Sequence, residues 1–358
     1  MTILVTGGAG FIGSNFILQW LNHSSESVIN LDKLTYSGNL TNLKSIEHDE
    51  RYVFVEADIL NKDLVKNLLG QYKIRAIIHF AAESHVDRAI HSPDIFIQTN
   101  INGTFQLLEA ALTYWKQLPA LAQQAFRFVH ISTDEVYGEL KNAEAPFQET
   151  TSYAPNSPYS ASKAASDHLV RAYHRTYGLP VLITNCSNNY GPYQYPEKLI
   201  PMCIQKALSG QPIPIYGDGL QIRDWLYVTD HCAAIERVLE DGKIGEKYNI
   251  GGLNEQKNID LIQIICSLLD RKFPRNDGRS YYEQIIHVQD RPGHDFRYAI
   301  DITKIQTELH WQPQETFVTG IEKTVDWYLA HPNWMSAVIE KCAGQILDHN
   351  TTYTEICL

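Results

Sequence analysis

Residues 3–13 read ILVTGGAGFIG, and this stretch decides the fold. Ile3, Leu4 and Val5, followed by Thr6, have the pattern of a short buried strand. Glycines come next: Gly8, Gly10 and Gly13 satisfy G-x-G-x-x-G, while Gly7, Gly10 and Gly13 satisfy G-x-x-G-x-x-G. The continuation FIGSNFILQWL has helical periodicity, so the glycines turn a strand into a helix N-terminus, where N–H groups and a positive dipole end suit a pyrophosphate. Asp32 ends the next apolar run, nineteen positions past Gly13, where an acid accepts hydrogen bonds from a ribose and repels a 2′-phosphate. This combination predicts a dinucleotide-binding unit that favours NAD over NADP.

Outward from that loop, short apolar runs at 27–32, 52–58, 76–82, 126–133 and 180–188 alternate with helical segments. Strand–helix alternation predicts a Rossmann-type α/β fold, a doubly wound parallel sheet covered on both faces. Ligands in such sheets lie at the C-terminal strand ends, where TGGAGFIG, NLDK, EADI, FAAES and STDE fall. From about 190 the chain becomes rich in Pro, Gly and aromatic residues, as expected of a smaller, loop-rich α/β lobe. The segment KYNIGG (247–252) reads as a strand returning to the large sheet. The expected organisation is therefore 1–189 for the dinucleotide domain, 190–334 for an interleaved substrate lobe, and 335–358 for a mobile C-terminal tail.

Composition narrows the function classes. Hydrophobic residues make up 44% and charged residues 20% of 358, which is globular rather than disordered. A formal net charge of −11 opposes non-specific nucleic-acid binding. Six scattered cysteines without a C-x-x-C pair, no transmembrane-length apolar run and no leader-like N-terminus predict a soluble cytoplasmic protein with reduced thiols. His79, His85 and His91 recur every six residues, which is no metal-ligand spacing, and no metal is expected. His79 reads as a strand residue, His85 as near the site and His91 as surface.

Two further motifs carry chemistry. YSASK places Tyr159 and Lys163 four residues apart on one helix face. A nearby ammonium and a nicotinamide cation would lower the phenol pKa and suit it to deprotonating a sugar hydroxyl. ISTDEVYG sets Asp134 and Glu135 side by side after Thr133 at the end of a strand. Neighbours on a strand point to opposite faces, so both acids can serve one site only if the backbone turns at Thr133. The bland alternative is a solvated helix N-cap with acids complementing the dipole.

With TGGAGFIGSNF, LDKLTYSGNL, FAAESHVDRAI, STDEVYG, SPYSASKAASDHLVRAY, TNCSNNYGPYQYPEKLIP, YGDGLQIRDWLYV, YNIGG and DRPGHDFRYAID in order, residues 2–334 resemble the extended short-chain dehydrogenase/reductase superfamily, and within it the dTDP-glucose 4,6-dehydratases. The resemblance implies a lyase that oxidises C4 of a nucleotide sugar, eliminates water across C5–C6 and returns hydride to C6, regenerating NAD. It implies that Thr133 bonds the 4-oxygen, Asp134 protonates the leaving 6-hydroxyl, Glu135 takes the C5 proton, and Tyr159 with Lys163 serves the C4 oxidation. Cofactor contacts implied are Gly7, Gly10, Phe11, Ile12, Gly13, Asp32, Lys33, Leu34, Thr35, Asp58, Ile59, Phe80, Ala81, Ala82, Glu83, Ser84, Thr99, Tyr159, Lys163 and Asn189. Substrate contacts implied are Ser84, Thr133, Asn188, Glu197, Lys198, Leu199, Pro214, Ile215, Tyr216, Arg223, Asn258, Arg291 and His294. Lys198, Arg223 and Arg291 suit a diphosphate, and Pro214 and Tyr216 suit a pyrimidine ring. A homodimer and a deoxysugar pathway such as that to rhamnose are likewise implied. A sister 4-epimerase or a nucleotide-glucuronate decarboxylase shares the loop and the Tyr–Lys pair but has no need of Asp134. A non-catalytic NAD sensor is a further alternative.

Overall fold

The computed structural model describes residues 1–348, and side chains as far as Lys341. Seven strands form the main sheet: β1 (Thr2–Thr6), β2 (Ser27–Asp32), β3 (Tyr52–Glu56), β4 (Ile74–His79), β5 (Arg127–Thr133), β6 (Val181–Cys186) and, after β7 (Asn188–Tyr190), β8 (Ile213–Tyr216) and β9 (Ile222–Tyr227), the returning β10 (Lys247–Ile250). Their order is β10-β6-β5-β4-β1-β2-β3, with parallel pairing throughout. Order reverses between β1 and β4, which opens a crevice at their C-terminal ends.

Both faces of the sheet are buried, as continuous apolar strands require. Ile3 and Val5 pack on one side with Phe16, Ile17, Ile78 and Val129, whereas Leu4 packs on the other with Ile29, Ile77, Leu107 and Phe128. Each such side chain contributes roughly 1.5–3 kcal/mol on burial. A third apolar cluster gathers Tyr190, Ile200, Trp225, Leu261, Ile265, Phe317 and Tyr328. Beside it lie two small sheets, one of β7, β9 and β11 (Glu255–Lys257) and one of β8 and β12 (Ile285–Val288).

One expectation is corrected. The first part of the expected tail, 335–358, is not irregular but lies in the helix Pro332–Asp348, and residues 349–358 lie outside the described residues. Met335 and Val338 are buried, and Trp334 Nε1 donates to Asn42 Oδ1 at 2.8 Å. The apolar stripe is short and partly aromatic, which hid its helical period. Cys186, Cys203, Cys232 and Cys266 are buried free thiols, and the side chains of Cys342 and Cys357 lie outside those described. Among the described residues, no helix is long and apolar enough to cross a membrane.

Candidate active site

At the β1 turn, Gly7 has φ +73° and donates its N–H to Leu31 O at 2.9 Å. A Cβ on Gly7 would lie 2.6 Å from Ala81 N, and one on Gly13 would lie 2.4 Å from Gly7 O. Any side chain at either position would break the turn. Gly10 caps the helix Phe11–His23 without a side-chain hydrogen bond, so the first-turn N–H groups stay open to an anion. A pyrophosphate cradle results.

This turn forms one end of a cavity of about 310 Å³. All the implied cofactor contacts line it except Leu34, which contributes only its backbone N–H, donated to Asp32 Oδ1 at 2.8 Å from a left-handed φ of +54°. Asp32 Oδ2 also accepts from Ala9 N at 2.9 Å. Burial holds that carboxyl above its usual pKa, opposed by these backbone donors and by Lys341. Lys33 pairs with Asp58 at 2.7 Å, so its charge is already matched and is not free to attract a 2′-phosphate. The residues fit NAD.

At the far end β5 stops at Thr133, and Asp134–Tyr137 forms a single 3₁₀ turn. Thr133 Oγ1 accepts from Glu135 N at 3.2 Å and donates to Asp134 Oδ1 at 3.3 Å. The backbone turn that the acid pair needs is thus present. Thr133 is indeed an N-cap, but Asp134 is 1% exposed and its Oδ2 has no partner, which rules out a solvated cap. Burial first, then Glu135 and Asp224, push the Asp134 carboxyl well above its normal range. Burial also raises Glu135, but Arg291, Arg223 and Lys198 pull it back. The neighbours are driven apart into a protonated acid and a more readily ionised one.

Tyr159 and Lys163 lie on the helix Pro158–Tyr177, started by a Ser157–Ser160 capping box and ended by left-handed Gly178. Both line the cavity, but the expected lowering of the phenol is not what the protein's own groups produce. Burial, Glu135 and Cys186 hold Tyr159 well above its usual pKa, with a hydrogen bond to Thr133 opposing them. Lys163 Nζ instead donates to Ile131 O at 2.8 Å, and burial lowers its pKa.

Of the implied substrate contacts, Ser84, Thr133, Asn188, Glu197 and Lys198 line this cavity, whereas Leu199, Pro214, Ile215, Tyr216, Arg223, Asn258, Arg291 and His294 do not. Arg223 and Arg291 nonetheless act on Glu135 from the outer side. The Tyr216 and His294 rings meet at 6.1 Å, Arg291 Nη1 lies 3.4 Å from Asp87, and Arg291 Nε and Asn258 Oδ1 are buried without partners. These orphaned polar atoms suit a polar ligand. Arg223 donates to the backbone carbonyls of Ile222, Phe296 and Asp295. The Ile215 side chain, 2% exposed, packs in the third apolar cluster, because strand alternation turns Pro214 and Tyr216 outward and Ile215 inward. His85 is buried 3.7 Å from Glu197.

The sequence reading passed over Cys186, Ser187, Gln194 and Tyr195, which also line the cavity. They lie within TNCSNNYGPYQYPEKLIP, and nothing local separates them from core residues.

A family model described as GDP-mannose 4,6 dehydratase matches residues 4–324. The chain is 59% identical over 339 residues to a dTDP-glucose 4,6-dehydratase of Xanthomonas campestris pv. campestris, covering 95% of this chain and 96% of that one. It is 57% identical over 346 residues to dTDP-glucose 4,6-dehydratase 1 of Escherichia coli K12, covering 94% and 95%. The crystal structure of dTDP-glucose 4,6-dehydratase from Bacillus anthracis in complex with NAD is similar at TM-score 0.83 and 46% identity, covering 94% of this chain and 99% of that one. UDP-glucose 4-epimerase of Thermotoga maritima is similar at TM-score 0.80 and 28% identity, with 92% and 99% covered. On glycine cradle, acid pair and these likenesses together, the chain belongs to the dTDP-glucose 4,6-dehydratase family of the extended short-chain dehydrogenases/reductases.

Proposed function

We infer that the protein is a lyase that converts dTDP-glucose to dTDP-4-keto-6-deoxyglucose with NAD. The observation that carries this reading is the acid pair: a buried Asp134 with an unpartnered Oδ2 and a pKa held well above normal, next to a Glu135 that burial raises and three cations oppose. A 4-epimerase has no use for it.

NAD, when bound, supplies a hydride acceptor for C4, a hydride donor for C6, and a positive charge that opposes the effect of burial on the Tyr159 phenol. Tyr159 receives the C4 hydroxyl proton, with Thr133 bonded to the same oxygen. The C4 ketone acidifies C5, and Glu135 removes that proton. Asp134 protonates the C6 hydroxyl, which leaves as water. Glu135 exchanges that proton with solvent and, once hydride has reached C6, protonates C5. The proton held by Tyr159 restores Asp134 through the Thr133 hydroxyl, which donates to Asp134 Oδ1 at 3.3 Å. One water is lost, and protons and hydride balance.

Residues 1–189 with β10 form the NAD-binding part of this proposal, and most of 190–334 the part that holds the nucleotide diphosphate through Lys198, Arg223 and Arg291. The protein acts in the cytoplasm in deoxysugar synthesis, such as that leading to rhamnose. It works as a homodimer through the helix carrying Tyr159 and the segment near Thr99–Leu112. Ile95, Ile97 and Phe105 support this assembly, being 48%, 49% and 37% exposed along one stretch.

Incubation with dTDP-glucose in heavy water tests the reading. Mass spectrometry is expected to show loss of water, one solvent deuterium at C5 and no net NADH. Glu135→Gln is expected to keep partial C4 oxidation while suppressing C5 exchange at least a hundredfold. Undiminished elimination by that variant defeats the assignment of Glu135.

A further inference from the structure

The helix bearing Tyr159 and Lys163 places a third ionisable residue on the same face one turn further on, Asp167. It is 2% exposed, and nothing in the chemistry above uses it. Its Oδ2 accepts from Tyr153 OH at 2.8 Å and from Asn185 Nδ2 at 3.2 Å. Its Oδ1 lies 3.2 Å from His130 Nε2. Asn185 Nδ2 also donates to Thr133 O at 3.0 Å, the carbonyl at which β5 gives way to the acid-pair turn. One carboxylate therefore touches the network behind both catalytic pairs.

Lys163 is 4% exposed, and a buried ammonium without a counter-charge loses its proton. The ionisable groups that act on it are Asp167 on its own helix, Cys186 at the end of β6, His130 on β5 and His79 on β4. Burial keeps both histidines neutral and the Cys186 thiol protonated. Asp167 is the one carboxylate of the set; hydrogen bonding to His130, then the Lys163 charge and Ser132, lower its pKa against burial, and Lys247 on β10 also interacts with it.

We propose that Asp167 is a positioning residue with two roles: it is the counter-charge that keeps Lys163 an ammonium, and through Asn185 it anchors the Thr133 carbonyl from which Asp134 and Glu135 project. This rests on the catalytic roles proposed for those residues. Without Asp167, Lys163 gives up its proton at lower pH, and the C4 oxidation that depends on it fails earlier on the alkaline side.

The test is a pH profile of kcat on dTDP-glucose for Asp167→Asn, for Lys163→Met and for the double variant. Asp167→Asn is expected to lower kcat at pH 7.5 at least tenfold with KM within about threefold, and to move the alkaline limb down by one pH unit or more. The double variant is expected to be no slower than Lys163→Met alone, and to melt higher, because the carboxylate that Lys163→Met strands is gone. Should Asp167→Asn not fold, folding of the double variant still supports the counter-charge. Failure of both to fold, or an Asp167→Asn profile superimposable on the parent, overturns it. Absence of turnover by the parent enzyme would instead count against the proposed function itself.

Discussion

Asp134 and Glu135 are adjacent in the chain, yet their surroundings differ in kind. Asp134 sits in a closed space with Glu135 and Asp224 acting on it, while Glu135 faces three cations. Asp134→Asn is therefore expected to keep C4 oxidation and C5 exchange but slow water loss about a hundredfold, read as deuterium entering recovered substrate faster than product forms. Buried histidines make the fold's stability depend on pH. His231 is fully buried, bonded to Asn189 Oδ1 at 2.8 Å, and burial takes its pKa down to about 3. Below an ordinary histidine pKa of about 6.5 the unfolded chain takes up a proton that the folded chain refuses. The contribution of His231 to stability is thus fully present above about pH 6.5 and declines as pH falls toward 3. The Tm of His231→Gln is expected to fall less between pH 7 and 4.5 than that of the parent, and equal slopes would exclude this origin.

Among the elements, the helix Pro158–Tyr177 was legible because its ends obey local rules: Ser157 and Pro158 begin it and Gly178 ends it. The helix Pro332–Asp348 was not. Its role lies in contacts with a distant loop, since Lys341 Nζ donates to Gly38 O at 2.6 Å and Trp334 holds Asn42. Gly38 lines the cofactor cavity, and Lys341 also acts on Asp32. Lys341→Met is expected to weaken NAD binding about three- to tenfold, roughly 1 kcal/mol, measured by equilibrium dialysis. Unchanged affinity would reduce this helix to packing alone.

For the molecule as a whole, the strand order places the cavity at the β1/β4 reversal, and the β6–β10 pairing brings residues after 190 back over it. The proposed dimer predicts that Ile97→Glu with Phe105→Glu shifts sedimentation to a monomer while far-ultraviolet circular dichroism stays unchanged. A double variant that remains dimeric would place the interface elsewhere.

By itself the sequence determined the glycine turn, the strand–helix alternation, the Tyr–Lys spacing and the adjacency of the two acids, because each follows from short-range geometry. Tertiary structure alone decided which of those groups are charged. Asp134 is held as an acid because the fold buries it beside Glu135 and Asp224, and Lys163 keeps company with His130 and Cys186 only because β5 and β6 pair. Desolvation depends on everything packed within a few ångströms, and that neighbourhood is assembled from residues far apart in the chain.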